Sequence, residues 1–334
     1  MTRVLITGAS GFIGSFLVEE GLRQPYEIYA GVRSSSSLKY LQDKRIHILP
    51  LELSDPEKLK LKWQELKTHM PAFDYVIHNA GVTQVVDPLD FQRVNSQCTQ
   101  NLVQSLTEAN FRPKKFILMS SLAAHGPGNS KTLAPIEPAD TPTPITYYGK
   151  SKLMAEQYLT SQQQVPYLIF RPTAVYGPRD KDFLSFFKTI KYHLEPYLGS
   201  PQQQLSFIYV KDLARLIFHS LESNVSGQYF FASDGNNYTC SQLAAIAKTV
   251  LNKRTLPIRF PKPLVKSIAF MAETIARLMQ QTSVLNRDKY KELTSINWGC
   301  NATQTLDTFN FKPAYNLEKG VREVVEWYQQ NKWL

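Results

Sequence analysis

An α/β doubly wound parallel sheet is the fold class this sequence predicts, and three observations carry it. Short apolar, β-branched runs alternate with amphipathic stretches of helical spacing through the first two-thirds of the chain. The runs are nearly free of polar residues, as strands buried on both faces are. The first strand and helix signals are joined by three glycines in "TGASGFIG".

Val4, Leu5 and Ile6 form the first strand, and Phe12, Ile13, Phe16, Leu17 and Leu22 recur at helical spacing. Between them Gly8 permits a tight turn, Gly11 lets a ligand approach the backbone, and Gly14 lets helix and strand pack closely. Unpaired N–H groups of the turn face one spot, and the helix dipole adds positive charge there. The spot suits a pyrophosphate, with Ser10, Phe12 and Ile13 on the same loop.

"YEIYAGVRSSSS" supplies the second strand, Ile28 to Val32, ending in Arg33 and Ser34. An acid about 20 residues beyond such a glycine loop holds the ribose 2′-hydroxyl of NAD. None stands here, and a guanidinium pairs with a 2′-phosphate and stacks on adenine. The expected cofactor is therefore NADP(H), with NAD(H) as the alternative. "RIHILPLELSD" is the third strand, with Leu53 near its end where an adenine edge can rest. "FDYVIHNAGVT" is the fourth; Asn79, Ala80 and Gly81 let the backbone come close to ribose and pyrophosphate, and His78 reads as structural. A helix through "RVNSQCTQNLVQSL" carries Asn95, and "KKFILMSSLAAHG" is the fifth strand. Ser120 and Ser121 sit at its carboxyl end, where ligands of open α/β sheets bind. After the loop "PIEPADTPTPIT", Tyr148 and Lys152 in "YYGKSKLMAEQYL" share one face of a helix, four residues apart. A free tyrosine titrates near about 10, and a neighbouring ammonium brings that down into a useful range for proton transfer.

With 334 residues, 43% of them hydrophobic, the chain can bury a sizeable core. Its net charge of +10 is scattered, without a basic block interleaved with aromatics, which argues against nucleic acid and leaves an acidic cofactor or a lipid surface open. Cys98, Cys240 and Cys300 stand far apart, so neither a disulfide framework nor a metal site is expected. No signal peptide is expected, since the first residues run directly into a strand, and no apolar run approaches the roughly 20 residues of a spanning helix. A cytoplasmic protein is expected, with membrane association as the variant reading.

Together these segments resemble the extended short-chain dehydrogenase/reductases, the NAD-dependent epimerase/dehydratase family. The marks are TGASGFIG, the HNAG turn, "SSLAAHG", "YYGKSK", "RPTAVYGPRD" from Arg171 and "FIYVKDLA" from Phe207. The resemblance implies a Rossmann-type domain over 1–172, with parts of 205–235 returning to it, and a mainly substrate-binding part over 173–334. It makes Tyr148 the general acid/base, Lys152 its partner, and Ser121, by its distance to Gly126, the hydroxyl that orients the substrate. It adds Asn95, Pro172 and Val175 to the cofactor site, and Ala123, His125, Ala174 and Tyr176 to the substrate site.

Three departures stand out. Cys98 occupies a position where many relatives have glycine. Ala174 stands where sugar-nucleotide members usually carry an asparagine that helps hold the diphosphate, and Leu205 where they place an arginine clamp. Near the C-terminus, "PKPLVKSIAFMAETIARLM" is similar to 3β-hydroxysteroid dehydrogenase-like and dihydroflavonol reductase-like members. Lys266, Glu273 and Arg277 form one stripe of this 261–281 helix, and large apolar residues cover the rest. Core or a homodimer contact is the first reading; a lid over a greasy substrate, or a helix on a membrane, stays open. The resemblance thus implies reduction of an apolar, lipid- or sterol-like ketone, such as a 3-ketosphinganine-type long-chain ketone, or the reverse oxidation. A nucleotide-sugar epimerase or dehydratase and a non-catalytic cofactor-sensing scaffold are the alternatives.

Overall fold

In the computed structural model of the chain, which describes every residue except Gln163 and Val284, strand and helix alternate from the first residues onward. β1 (Thr2–Thr7), α1 (Phe12–Leu22), β2 (Tyr26–Val32), β3 (Ile46–Pro50), α2 (Pro56–Lys67) and β4 (Tyr75–His78) lead to a short helical turn, α3 (Leu89–Phe91). This continues through a π-helical stretch, Gln92–Gln97, into α4 (Cys98–Glu108). β5 (Lys115–Met119), α5 (Tyr147–Ser161), β6 (Tyr167–Pro172), β7 (Ala174–Tyr176) and α6 (Asp182–Lys191) follow. Next come β8 (Leu194–Tyr197), β9 (Gln204–Tyr209), α7 (Val210–Leu221), β10 (Gln228–Ala232), β11 (Asn237–Thr239) and α8 (Cys240–Leu251). The chain closes with β12 (Leu256–Arg259), α9 (Lys262–Leu278), α10 (Arg287–Thr294), β13 (Asn297–Trp298), α11 (Thr303–Thr308) and α12 (Leu317–Gln330).

The main sheet has the order β10-β6-β5-β4-β1-β2-β3, and its pairs from β3 to β6 are parallel. The order reverses between β1 and β4. The carboxyl ends of those two strands therefore border the crevice in which doubly wound sheets take their ligands. The expected α/β doubly wound, Rossmann-type fold is what forms.

Two compact units share the chain. The first comprises 1–124, 147–171 and 214–230, the second 125–146, 172–213 and 231–334. The first is filled by strand residues and by an aromatic group, Trp63, Phe73 and Phe111, with the Trp63 indole donating to Ser105 Oγ at 2.9 Å. Segment 214–230 is tied into it by Lys115 of β5. That ammonium donates to the carbonyls of Ser220 (3.2 Å) and Leu221 (2.9 Å), capping the negative end of α7.

In the second unit the apolar cluster gathers Tyr176, Phe187, Phe207, Tyr209, Leu317, Val321, Val324 and Tyr328. Segment 125–146 is strapped to the β13 region of this unit. Gly128 N–H donates to Asn297 O (2.9 Å), Ile136 N–H to Gly299 O (2.8 Å), and the Asn297 amide to Ala134 O (2.7 Å). On α9 only Val265 and Ala269 are buried; Leu264, Ile268, Phe270, Met271, Ile275 and Leu278 are exposed. Core is thus the wrong reading for most of that helix's large side chains. No described helix is long and apolar enough to cross a membrane.

Candidate active site

Every residue expected to carry chemistry lies in the first unit, at the carboxyl ends of β1, β4 and β5 and the start of α5. At β1 the glycine turn is required by close approach. Gly8 has φ of +66°, and a Cβ on Gly14 would lie 2.1 Å from the Gly8 carbonyl oxygen. Helix α1 begins with Gly11 as its N-cap, no side-chain cap and no acid in its first turn. Its first N–H groups are left for an external acceptor, so the turn fits the pyrophosphate of a dinucleotide. Ser10, Phe12 and Ile13 are half-buried on the loop, and Gly11 is exposed. Beside it, Asn79 Nδ2 reaches Gly8 O (3.5 Å) and Ala80 N–H donates to Thr7 Oγ1 (3.2 Å). Leu53, half-buried, accepts at its carbonyl from Asn101 (2.9 Å). Arg33 is exposed just past β2 and makes no ion pair among the described residues; its N–H donates to Ser36 Oγ (3.1 Å).

Tyr148 stands in the first turn of α5, half-buried, its ring edge-on to Phe91 with centroids 5.9 Å apart. One turn on, Lys152 is buried and its Nζ donates to Met119 O at 2.9 Å. Burial pushes its ammonium down to about 8, against an opposing pull from the Glu156 carboxylate. Gly81 lies over the pair formed by this ammonium and Asn95. A Cβ there would come within 2.9 Å of Asn95 Oδ1 and 3.1 Å of Lys152 Nζ.

The two adjacent serines have separate fates. Ser120 is buried and donates to Glu156, which also receives two bonds from Arg171 Nε (3.0 and 3.2 Å) and one from Nη2 (2.6 Å). Ser121 is half-buried, and among the described residues its Oγ accepts only the Ala123 N–H (3.1 Å). Its hydroxyl hydrogen is left to donate elsewhere.

Beneath these groups runs a directional chain of hydrogen bonds that sequence reasoning missed. Thr99 Oγ1 donates to Asn95 O (2.7 Å), so it must accept from His78 Nε2 (3.0 Å). The proton of His78 therefore sits on Nε2, and Nδ1 accepts from Thr7 Oγ1 (2.8 Å). Asn95 Oδ1 accepts from Val82 N–H (2.8 Å) while its Nδ2 donates to Ser151 Oγ (3.0 Å). Ser151 Oγ in turn donates to Tyr148 O (2.7 Å). The chain ties the glycine turn to the start of the tyrosine helix through the π-helical stretch that presents Asn95. No sequence signal marks that extra-wide turn, though such turns gather at functional sites. Glu156, also missed, is four residues after Lys152 and was findable by helical spacing.

Complete burial pushes the His78 imidazole down to about 3, with the Lys152 ammonium adding to the effect. The unfolded chain binds this proton at its ordinary value and the folded chain does not. The contribution is therefore complete above that ordinary value and is lost as pH falls toward about 3. Between pH 7 and 4, His78→Asn should lose about 3 kcal/mol less stability than the parent in urea unfolding. Equal losses would mean the imidazole is already solvated.

Two residues expected at the substrate site are buried. Tyr176 is buried in the second unit's core; its hydroxyl donates to Asn316 O (3.3 Å), and a Cβ on Gly320 of α12 would lie 2.1 Å from it. His125 is buried as well, edge-on to Phe231 and bonded to the carbonyls of Gly126 (3.3 Å) and Asp140 (3.2 Å). Both side chains are thus packed into the fold. Ala123 is half-buried and Ala174 exposed; Pro172 is buried and Val175 half-buried in the second unit. A hollow of about 570 Å³ lined by Arg3, Asp74, Arg112 and Lys114 lies at the amino ends of β1 and β4, the wrong end of the sheet for this chemistry.

Comparison with known proteins agrees with the geometry. Ceramide reductase of Caulobacter vibrioides is 26% identical, covering 99% of this chain and 96% of its own. UDP-glucose 4-epimerase of Vibrio cholerae is 25% identical, covering 98% and 95%. Among solved structures, UDP-glucose 4-epimerase of Thermotoga maritima superposes with a TM-score of 0.79 at 20% identity, covering 99% of this chain and 100% of that one. The dTDP-glucose 4,6-dehydratase of Bacillus anthracis, in complex with NAD, superposes at 0.76 and 19% identity, covering 100% and 98%. The profile of the NAD dependent epimerase/dehydratase family matches residues 4–231, the span holding the glycine turn, the serine strand end and the tyrosine–lysine helix. The chain belongs to that family, the extended short-chain dehydrogenase/reductases, and is an NAD(P)-dependent oxidoreductase.

Proposed function

We propose that this enzyme reduces a ketone on an apolar, lipid-like substrate such as a 3-ketosphinganine-type long-chain ketone, or runs the reverse oxidation. The observation that carries the reading is that apolar side chains, Ala174 and Leu205, occupy the two positions where the family resemblance implies diphosphate donors in sugar-nucleotide members. At 174 only a methyl group is exposed, and Leu205 is packed against the second unit's apolar cluster, where it cannot serve an anion. A dianionic ligand deprived of two such donors loses strong, charge-assisted contacts. Full-length similarity to a ceramide reductase supports the same class.

In this reading the bound nicotinamide supplies the hydride that the carbonyl carbon takes up. Tyr148 gives its phenolic proton to the carbonyl oxygen and regains one from water. Ser121 holds that oxygen with the hydroxyl hydrogen its Ala123 contact leaves over. Lys152 keeps a positive charge beside the phenol and bonds the nicotinamide ribose, and Asn95 braces the helix that carries both. Positioning and charge stabilisation account for most of the acceleration. Arg33, exposed and without an ion pair among the described residues, would pair with a 2′-phosphate, which favours NADP(H) over NAD(H).

The second reading, a nucleotide-sugar epimerase or dehydratase, is favoured by the full-length relative from Vibrio cholerae. One experiment separates the two. NADPH and NADH oxidation is followed against long-chain ketones, beside thermal shifts with UDP, dTDP and GDP sugars. Turnover of the ketones without a sugar-nucleotide shift supports the proposal. A clear shift or turnover with a sugar nucleotide, and none with ketones, overturns it. Repeating the assay with Arg33→Asp should move preference toward NADH; an unchanged ratio removes Arg33 from the account.

A further inference from the structure

Helix α9 leaves most of its circumference uncovered, and its residues sort into arcs. At 100° per residue, Val265, Ala269, Ala272 and Ala276 fall on one side. The first two are buried and the others half-buried, and α10 packs against this helix. The small side chains thus face the protein. Leu264, Ile268, Met271, Ile275 and Leu278 fall together on an adjoining arc and are 48%, 44%, 60%, 54% and 81% exposed. An unbroken apolar stripe four turns long, on the outside of a folded unit, is a docking surface.

Charge selects what docks there. Lys262, Lys266 and Arg277 are exposed on the same helix, and Lys253, Arg254 and Arg259 immediately precede it. The only acid from 252 to 281 is Glu273, and its carboxylate is already held by Arg287 through two side-chain bonds of 2.9 and 3.1 Å. The segment is therefore strongly cationic, within a chain of net charge +10. By the same count Lys262, Lys266 and Arg277 fall on the arc opposite the stripe, the division into an apolar and a basic face that a helix lying in a membrane interface has. An anionic lipid surface complements both features at once: acyl chains for the stripe and phosphates for the lysines.

We infer that α9 lies in the interface of an anionic membrane, with Leu264, Ile268, Met271, Ile275 and Leu278 inserted among the acyl chains and Lys262, Lys266 and Arg277 on lipid phosphates. Binding requires neither substrate nor turnover, so its failure and a failure of the proposed reaction are separate results.

The test is co-sedimentation of the full chain with vesicles of phosphatidylcholine containing phosphatidylglycerol, beside vesicles of phosphatidylcholine alone. The parent should bind the mixed vesicles, weakly or not at all the neutral ones, and be released by salt. Combining Ile268→Ser, Met271→Ser and Ile275→Ser should lower the partition constant about tenfold or more while the melting temperature stays put, because these side chains are exposed. Lys262→Glu with Lys266→Glu and Arg277→Glu should abolish the preference for mixed vesicles. No binding of the parent to mixed vesicles overturns the inference, as does equal binding by the serine variant. A parent that sediments as a dimer without lipid binding, with a monomeric serine variant, also overturns it and makes the stripe a contact between copies.

Discussion

Tyr148→Phe is expected to lower kcat by about 10²–10⁴-fold, the range that one positioned proton donor contributes, while the dissociation constant for NADP(H) changes little. The substitution removes one oxygen and keeps the ring that meets Phe91 edge-on, so the helix start should be undisturbed. Ser151 holds that start through the Tyr148 backbone carbonyl, which phenylalanine also offers. Steady-state turnover with the best ketone from the panel, set beside cofactor titration, separates chemistry from binding. Turnover equal to the parent's would remove Tyr148 from the reaction. A parallel loss of cofactor affinity would reassign it to binding.

Glu156→Ala should destabilise the fold by about 3–5 kcal/mol, the cost of leaving one member of a buried ion pair without its partner. Arg171 and Glu156 have side chains 2% and 4% exposed, and the guanidinium lies 4.0 Å above the Tyr229 ring. Arg171 Nη1 has no hydrogen-bond partner among the described residues, so the carboxylate is what compensates this buried charge. Removing it also leaves the Ser120 hydroxyl without its acceptor. Urea unfolding followed by circular dichroism reads the loss. Replacing both partners with apolar residues, Glu156→Leu with Arg171→Met, should recover much of it, since no charge is then stranded. An unchanged midpoint for Glu156→Ala would mean that water reaches the guanidinium.

Much of this was legible in the sequence because local chemistry writes it there. A turn that brings Gly14 against the Gly8 carbonyl admits only glycine, and two side chains that share one helix face must be spaced as Tyr148 and Lys152 are. The choice of Ser121 over Ser120 came from the family resemblance and the distance to Gly126; that Ser120 is engaged by Glu156 could not be read there. What stayed hidden depends on distant partners. His125 and Tyr176 follow strand ends in the way pocket residues do, and nothing local reveals that Asp140 and α12 enclose them. The same holds for α9, whose broad apolar circumference does not say which arc the rest of the unit covers.

The alternation of units along the chain bears on biosynthesis. The backbone passes between them five times. The first unit therefore has all its pieces only after residue 230 has left the ribosome. No single cut yields either half whole, so neither can be inherited, swapped or expressed as a cassette.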